Sequence, residues 1–315
     1  MSAPAEDGAS RDGYGRALLR LADNPDIVVL EADLGKSTKS CHFRSEFPDR
    51  TFSLGIAEQN MMLVGAGLAS SGKIPMVSTF AIFTERAFEQ IRNGIARPCL
   101  KVHICGSHGG IHTGSDGSSA QSIEDLAIYR TLPNMTIIHP ADDVSAEELT
   151  IQVASLNGPS YMRTIRNKVK RSYSIENIKK LNIGKGSILK EGKDVAIISC
   201  GVMVSKSIEA ANVLEQQGIS TTVIDMHTIK PLDEEIINYW SKKCGCLVTA
   251  EDHSIIGGLG SAIAEHNSKT NLVPMEMVGV KDRFGESGES EELFKIMSMD
   301  IEDIVKAAKK SIERK

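Results

Sequence analysis

Aromatic residues are scarce in this chain: one tryptophan, five tyrosines and eight phenylalanines among 315 residues, or 4%. Any two rings at close spacing therefore stand out. No apolar run approaches the roughly 20 residues that crossing a bilayer needs, which argues against a membrane span. Basic charge is not in excess either. With a formal net charge of −5, nothing draws the protein as a whole to nucleic acid or an anionic membrane. An anionic ligand has to meet a local basic site. The strings G-x-G-x-x-G and G-x-x-x-x-G-K-[ST] are both missing, which leaves ordinary dinucleotide and ATP loops unsupported. Six cysteines (41, 99, 105, 200, 244 and 246) are scattered, and the C-x-C of Cys244 and Cys246 has no second pair to build a zinc site. The start, "MSAPAEDGASRDGYG", lacks the basic opening and apolar stretch of a signal peptide. These readings predict a reduced, cytoplasmic protein.

What is present is an alternation of short β-branched runs with longer helical patterns, the mark of an α/β protein with mainly parallel sheets. Strands are expected at "DIVVLEADL", "TFSLG", "IPMVSTF", "LKVHICGSH", "MTIIHPAD" and "GPSYMRTIR". The lysine-rich stretch "NKVKRSYSIENIKKLNIGKGSILKEGKD" reads as a connection with one small hairpin. The pattern then restarts with strands at "DVAIISCG", "STTVIDMHTIKPLD", "CLVTAEDH" and "VPMEMVGV", and closes on a single C-terminal helix. The length suits two domains, placed at 1–170 and 191–315 with a linker over 171–190.

Polar residues and glycines gather at the expected carboxyl ends of the first domain's strands: Asp33 and Ser37, Glu58, Phe80 and Phe83, His108 through Asp116, and Arg163. Ligands of open parallel sheets sit beyond those ends. In "LGIAEQNMMLVGAGLA", residues 54–69, Glu58 sits where a helix begins, followed by a segment that offers no charge to pair it and reads as built for burial. Phe80 and Phe83 lie three apart and would share a helical face; two core rings and a platform for a flat ligand are both open on these residues alone. In "GSHGGIHTGSDGSSAQ", glycines let backbone approach a ligand while His and Asp supply donors and acceptors. "EDHSIIGGLGSA" fits either a phosphate at a helix N-terminus or close helix packing. The basic run "RNKVKR" has no interleaved aromatics and reads as a solvated linker rather than a nucleic-acid site.

"GIAEQN", "STFAIFTERAFEQIR", "CGSHGGIHTGSDG" with "IEDLAIYR", "DMHTIKPLD" and "EDHSIIGGLGSAIAEH" closely resemble the transketolase family, from about Ser10 to the C-terminus. The resemblance covers that family's pyrimidine-binding (PYR) domain and its C-terminal domain. It implies thiamine diphosphate as cofactor, with Glu58 hydrogen-bonding N1′ of the aminopyrimidine and promoting its imino tautomer. Phe80 and Phe83 would pack on that ring and Asp33 would lie near the thiazolium; Arg86 falls where some members have tyrosine and others arginine. Arg11, Ser37, His108 and Arg163 match the set that grips a sugar phosphate, and Asp116 matches the aspartate that reads a sugar hydroxyl. Two guanidiniums suit a dianion chemically.

One position departs from the pattern. Ala120 stands where many members have histidine and others glutamine, and a methyl group neither hydrogen-bonds nor moves a proton; Gln121 or a water is the expected substitute. The G-D-G…N motif that holds the divalent cation, Mg²⁺ or another, belongs to the family's N-terminal domain and has no counterpart here. The resemblance therefore implies an N-terminal companion subunit in an α2β2 assembly, with the Glu58 helix packed at the interface. The activity implied is transfer of a two-carbon ketol unit between sugar phosphates. The rival readings are a deoxyxylulose phosphate synthase-like enzyme, a 2-oxo acid dehydrogenase β subunit, and a catalytically silent subunit.

Overall fold

The run "IVVLE" forms the strand Ile27–Glu31 and is buried along its whole length, as expected of a parallel strand with both faces of its sheet covered. The structure, a computed structural model, describes residues 7–174, 178 and 181–315. Residues 1–6 of the polar start, and 175–177 and 179–180 of the expected linker, lie outside them.

Seven strands make the first sheet, in the order Thr228–Lys230, Thr136–Ile138, Ser160–Thr164, His103–Ser107, Ile74–Phe80, Ile27–Glu31 and Thr51–Ser53. Six are mutually parallel. Thr228–Lys230 runs antiparallel at the edge and comes from the second half of the chain, so the two α/β units are laced together. The second sheet runs Met275–Val280, Leu247–Ser254, Val195–Ser199, Thr221–Asp225 and Ser187–Lys190, parallel except for its last member.

Three expectations change. The connection makes no hairpin of its own among the described residues: Val169–Lys170 pairs with Asp7–Gly8, and Ser187–Lys190 joins the second sheet. The C-terminal helix is two helices, Ser290–Ile296 and Ile301–Glu313. Ser298 at φ 57° turns the chain between them, and the Asp300 carboxylate caps the second by accepting from the N–H of Ile301 at 2.8 Å. No glycine or proline marks this break, so periodicity ran through it. The helix Glu58–Ser70 is buried on one face alone. Met61, Met62 and Ala66 pack inward, while Leu63 and the preceding Ile56 remain 48% and 78% exposed.

The glycine-rich turn before the helix Leu259–Asn267 is resolved in favour of packing. Glu251 accepts the N–H groups of Leu259 (2.7 Å) and Gly260 (2.8 Å), so the helix N-terminus already holds an internal anion. A Cβ on Gly258 would come within 2.0 Å of that carboxylate. All six cysteines are free, and among the described residues no helix is long and apolar enough to cross a membrane.

Asp225 ends a central strand of the second sheet, is fully buried, and accepts from the Tyr173 hydroxyl at 2.7 Å. Burial pushes its carboxyl up to about 8, against the Tyr173 hydrogen bond and with Asp142 adding repulsion. A carboxyl that ionises later in the folded than in the unfolded chain weakens stability as pH rises from about 4 toward 8. Asp225→Asn is therefore expected to match the parent near pH 4. At pH 8 it should exceed it by on the order of 5 kcal/mol, read from denaturant unfolding at both pH values.

Candidate functional site

The carboxyl edge of the first sheet gathers the candidate residues. Asp33 lies two residues past Ile27–Glu31, Phe80 ends Ile74–Phe80, and His108 follows His103–Ser107. Glu58 opens its helix beyond Thr51–Ser53. Asp33 is exposed and takes φ 60°, a left-handed conformation that aspartate tolerates better than most residues.

Contacts link these side chains in one continuous run. Glu58 is 2% exposed, and its Oε2 accepts from Arg86 Nη1 at 3.0 Å. Arg86 thus supplies the charge that the helical segment itself lacks, an interaction made across 28 residues. Its guanidinium carbon lies 5.4 Å from the Phe83 ring centre. Phe83 stacks on Phe80 with centroids 5.5 Å apart and planes 14° apart, and Phe80 stacks on His108 at 4.0 Å. The two phenylalanines do not share a helical face, since Phe80 is the last strand residue and Phe83 lies in the following short helix. The near-parallel rings come instead from that turn.

His108 is the other pole of the run. Its Nδ1 is 2.8 Å from the Ser107 hydroxyl. Burial, followed by repulsion from Arg11 and Arg166, holds its imidazole down at about 3, so it is neutral at physiological pH. Arg11 donates from Nη1 to the Ser37 carbonyl at 3.1 Å, and Arg166 pairs with Asp116 at 2.6 Å. Two guanidiniums thus lie near a neutral imidazole, beside a hydroxyl-bearing turn, and Asp116 and Asp12 balance their charge.

Arg163 is not part of that group, contrary to expectation. It lies inside the strand Ser160–Thr164, its side chain is fully buried, and its nitrogens are spent within the chain. Nε donates to Asp125 Oδ2 at 3.0 Å, Nη2 pairs with Asp125 Oδ1 and also reaches the Ser122 carbonyl, and Nη1 donates to the Asp252 carbonyl. Burial alone would raise the Asp125 carboxyl, but Arg163 brings it down to about 2. Arg166, two residues past the strand end, takes the outward place. No local signal separated the two, since both arginines fall in the expected strand "GPSYMRTIR".

Gln121, beside the departing position Ala120, has its Nε2 spent but its Oε1 unpartnered. It is buried, and its Nε2 donates to the carbonyls of Gly114 (3.0 Å) and Glu286 (2.8 Å). Sequence reading also passed over Glu85, which accepts from the Ser122 hydroxyl and whose carboxyl burial pushes up to about 8. Glu58 beside a stacked aromatic pair suits a flat, nitrogen-bearing ring, so the residues present fit the pyrimidine end of thiamine diphosphate.

Two family models match the chain: "Transketolase, pyrimidine binding domain" over residues 7–171 and "Transketolase, C-terminal domain" over residues 184–304. A protein of Methanocaldococcus jannaschii named as a transketolase C-terminal section is 44% identical, over 94% of each chain. A 6-deoxy-6-sulfo-D-fructose transketolase subunit of Clostridium sp. is 40% identical, over 97% of this chain and 95% of its own. A solved split-gene transketolase, described as an inactive beta4 tetramer, has a TM-score of 0.91 and 46% identity. It covers 98% of this chain and 99% of its own.

The two arginines are expected to separate cleanly. Arg163→Ala strands a buried Asp125 and should cost about 3–5 kcal/mol in unfolding free energy. Arg166→Ala removes a half-exposed ion pair and should change stability by less than about 1 kcal/mol, while weakening binding of inorganic phosphate about tenfold in titration calorimetry.

Proposed function

The chain belongs to the transketolase family, and on that premise we propose that it is the PYR and C-terminal half of a two-chain transketolase. With an N-terminal companion it transfers a two-carbon ketol unit from a ketose phosphate to an aldose phosphate. The observation that carries this reading is the unbroken run from Glu58 through the stacked phenylalanines to His108. In this reading Glu58 at one end handles a proton, and the cradle around His108 at the other seats an anion.

Thiamine diphosphate, when bound, supplies the carbanion nucleophile and the electron sink. The chain's own residues do the rest. Glu58 would hydrogen-bond N1′ of the aminopyrimidine and hold or pass a proton there, and Arg86 would ease the charge left on Glu58 when the proton is given up. Phe80 and Phe83 would pack on the ring, and Asp33 would lie near the thiazolium. Arg11, Ser37, His108 and Arg166 seat the terminal anion of the sugar. That cradle reads a tetrahedral anion rather than its central atom, in keeping with a relative named for a sulfo-sugar. A bound dianion would compete with Asp116 for Arg166 and free the carboxylate for a sugar hydroxyl.

The diphosphate and its divalent cation would be held by the companion, in the α2β2 arrangement. Ile56 and Leu63, exposed beside Glu58, offer an apolar face for it. Ala120 favours a second reading, in which the donor is a 2-oxo acid, because Nε2 of Gln121 is already committed and the donor end lacks its usual polar side chain.

The deciding experiment mixes chain, companion, thiamine diphosphate and Mg²⁺ with a ketose phosphate and follows aldehyde release. Release is expected, and Glu58→Gln should reduce it by on the order of 10²–10⁴. No release from an assembled complex, with turnover of pyruvate instead, would establish the second reading. Leu63→Glu should weaken companion binding at least about tenfold without lowering the chain's own melting temperature, measured by analytical ultracentrifugation.

A further inference from the structure

The loop that carries His108 and Asp116 combines unusual backbone conformations with few internal ties, among them the Thr113 hydroxyl on the His108 carbonyl at 2.6 Å. His108, Gly110, Gly114 and Gly117 all take positive φ, at 62°, 80°, 76° and 82°. For His108 that conformation costs on the order of 1 kcal/mol. Such a loop has many alternatives unless something outside fixes it.

Fixing groups come from both domains: Asn167 of the first donates to the His112 carbonyl at 2.9 Å, and others come from the second. Asp252, fully buried at the end of Leu247–Ser254, accepts the N–H of Ile111 at 2.8 Å with Oδ1 and that of His112 at 3.0 Å with Oδ2. Its carbonyl accepts from Arg163, which also holds the return of the loop at Ser122. The Ser290 hydroxyl donates to the His112 carbonyl at 2.9 Å. Gln121 ties Gly114 to Glu286. Gly110 is what admits the clamp: a Cβ there would lie 2.2 Å from Asp252 Oδ2.

We propose that Asp252 is a positioning residue for the substrate. Through two backbone amides it holds the loop so that His108 and Asp116 face the anion cradle, and the C-terminal domain thereby sets affinity for the substrate's anionic end. The substrate half of this proposal rests on the function given above; the clamp does not. The neighbouring Glu251 is an internal control, since it is equally buried but caps the helix Leu259–Asn267 and leaves the loop alone.

Amide hydrogen exchange on the full chain tests the clamp. Asp252→Ala should raise exchange at Ile111 and His112 about tenfold or more, the loss of charge-assisted hydrogen bonds. Asp252→Asn keeps one acceptor and should release one of the two amides. Glu251→Gln should raise exchange at Leu259 and Gly260 and leave the loop unchanged. If Asp252→Ala does not fold, Asp252→Asn and the milder Ser290→Ala carry the measurement. Unchanged exchange at Ile111 and His112 in a folded Asp252 variant would overturn the proposal. In the assembled enzyme, Asp252→Ala should raise KM for the phosphorylated donor and Ki for inorganic phosphate together, by about tenfold, with kcat within about threefold. Glu251→Gln should raise neither. Faster exchange with unaltered phosphate Ki would sink the substrate half. A wild-type assembly that turns over no ketose phosphate would fail the functional reading, and phosphate binding to the full chain, followed by ³¹P line broadening, would then decide the substrate half on its own.

Discussion

The fully buried Arg163 guanidinium is the point on which the rest of the structure hangs. It neutralises Asp125 inside the first domain and, through the Asp252 carbonyl, reaches the last strand positions of the second. A charge with no exposure is tolerable because nearly every donor has a partner, two of them on a carboxylate. The cost of burying it is recovered as specificity. One planar fork fixes the relative placement of a strand, a loop and a neighbouring domain, which apolar contacts alone would leave free to slide.

Around that node the chain separates charges by depth. Glu251, Asp252 and Asp125 are buried and answered by backbone N–H groups or by Arg163, so they stabilise and position. Arg11, Arg86, Arg166 and Asp116 sit nearer solvent at the sheet's carboxyl edge, where their pairings are weaker and can be exchanged for those of a ligand. The acidic protein thus carries two guanidiniums near His108, their charge balanced by Asp116 and Asp12. His108 stays neutral between the arginines, able to donate without adding a third positive charge.

The apolar face around Ile56 and Leu63 follows the same logic of an edge left for something else. The helix behind Glu58 is half dressed: Met61, Met62 and Ala66 turn inward, while Leu63 and the preceding Ile56 lie open. A single chain gains nothing from exposing them, and under the proposed function they lie beside Glu58 on the face left for the companion.

Much of this was legible beforehand. The strands came from β-branched runs that a buried parallel sheet demands, and Glu58, Phe80, Phe83 and His108 from motifs whose order along the chain resembles a family. Local pattern misled where it carried no punctuation, as at Ser298, and where two arginines three apart offered the same chemistry. The sequence by itself determined which residues stand at the strand ends, because alternation and turn chemistry are local. The tertiary structure alone decided which arginine is spent in the core, that Arg86 answers Glu58, and that a carboxylate 140 residues downstream holds the loop at His112. Those depend on long-range hydrogen bonds whose partners have no fixed spacing along the chain.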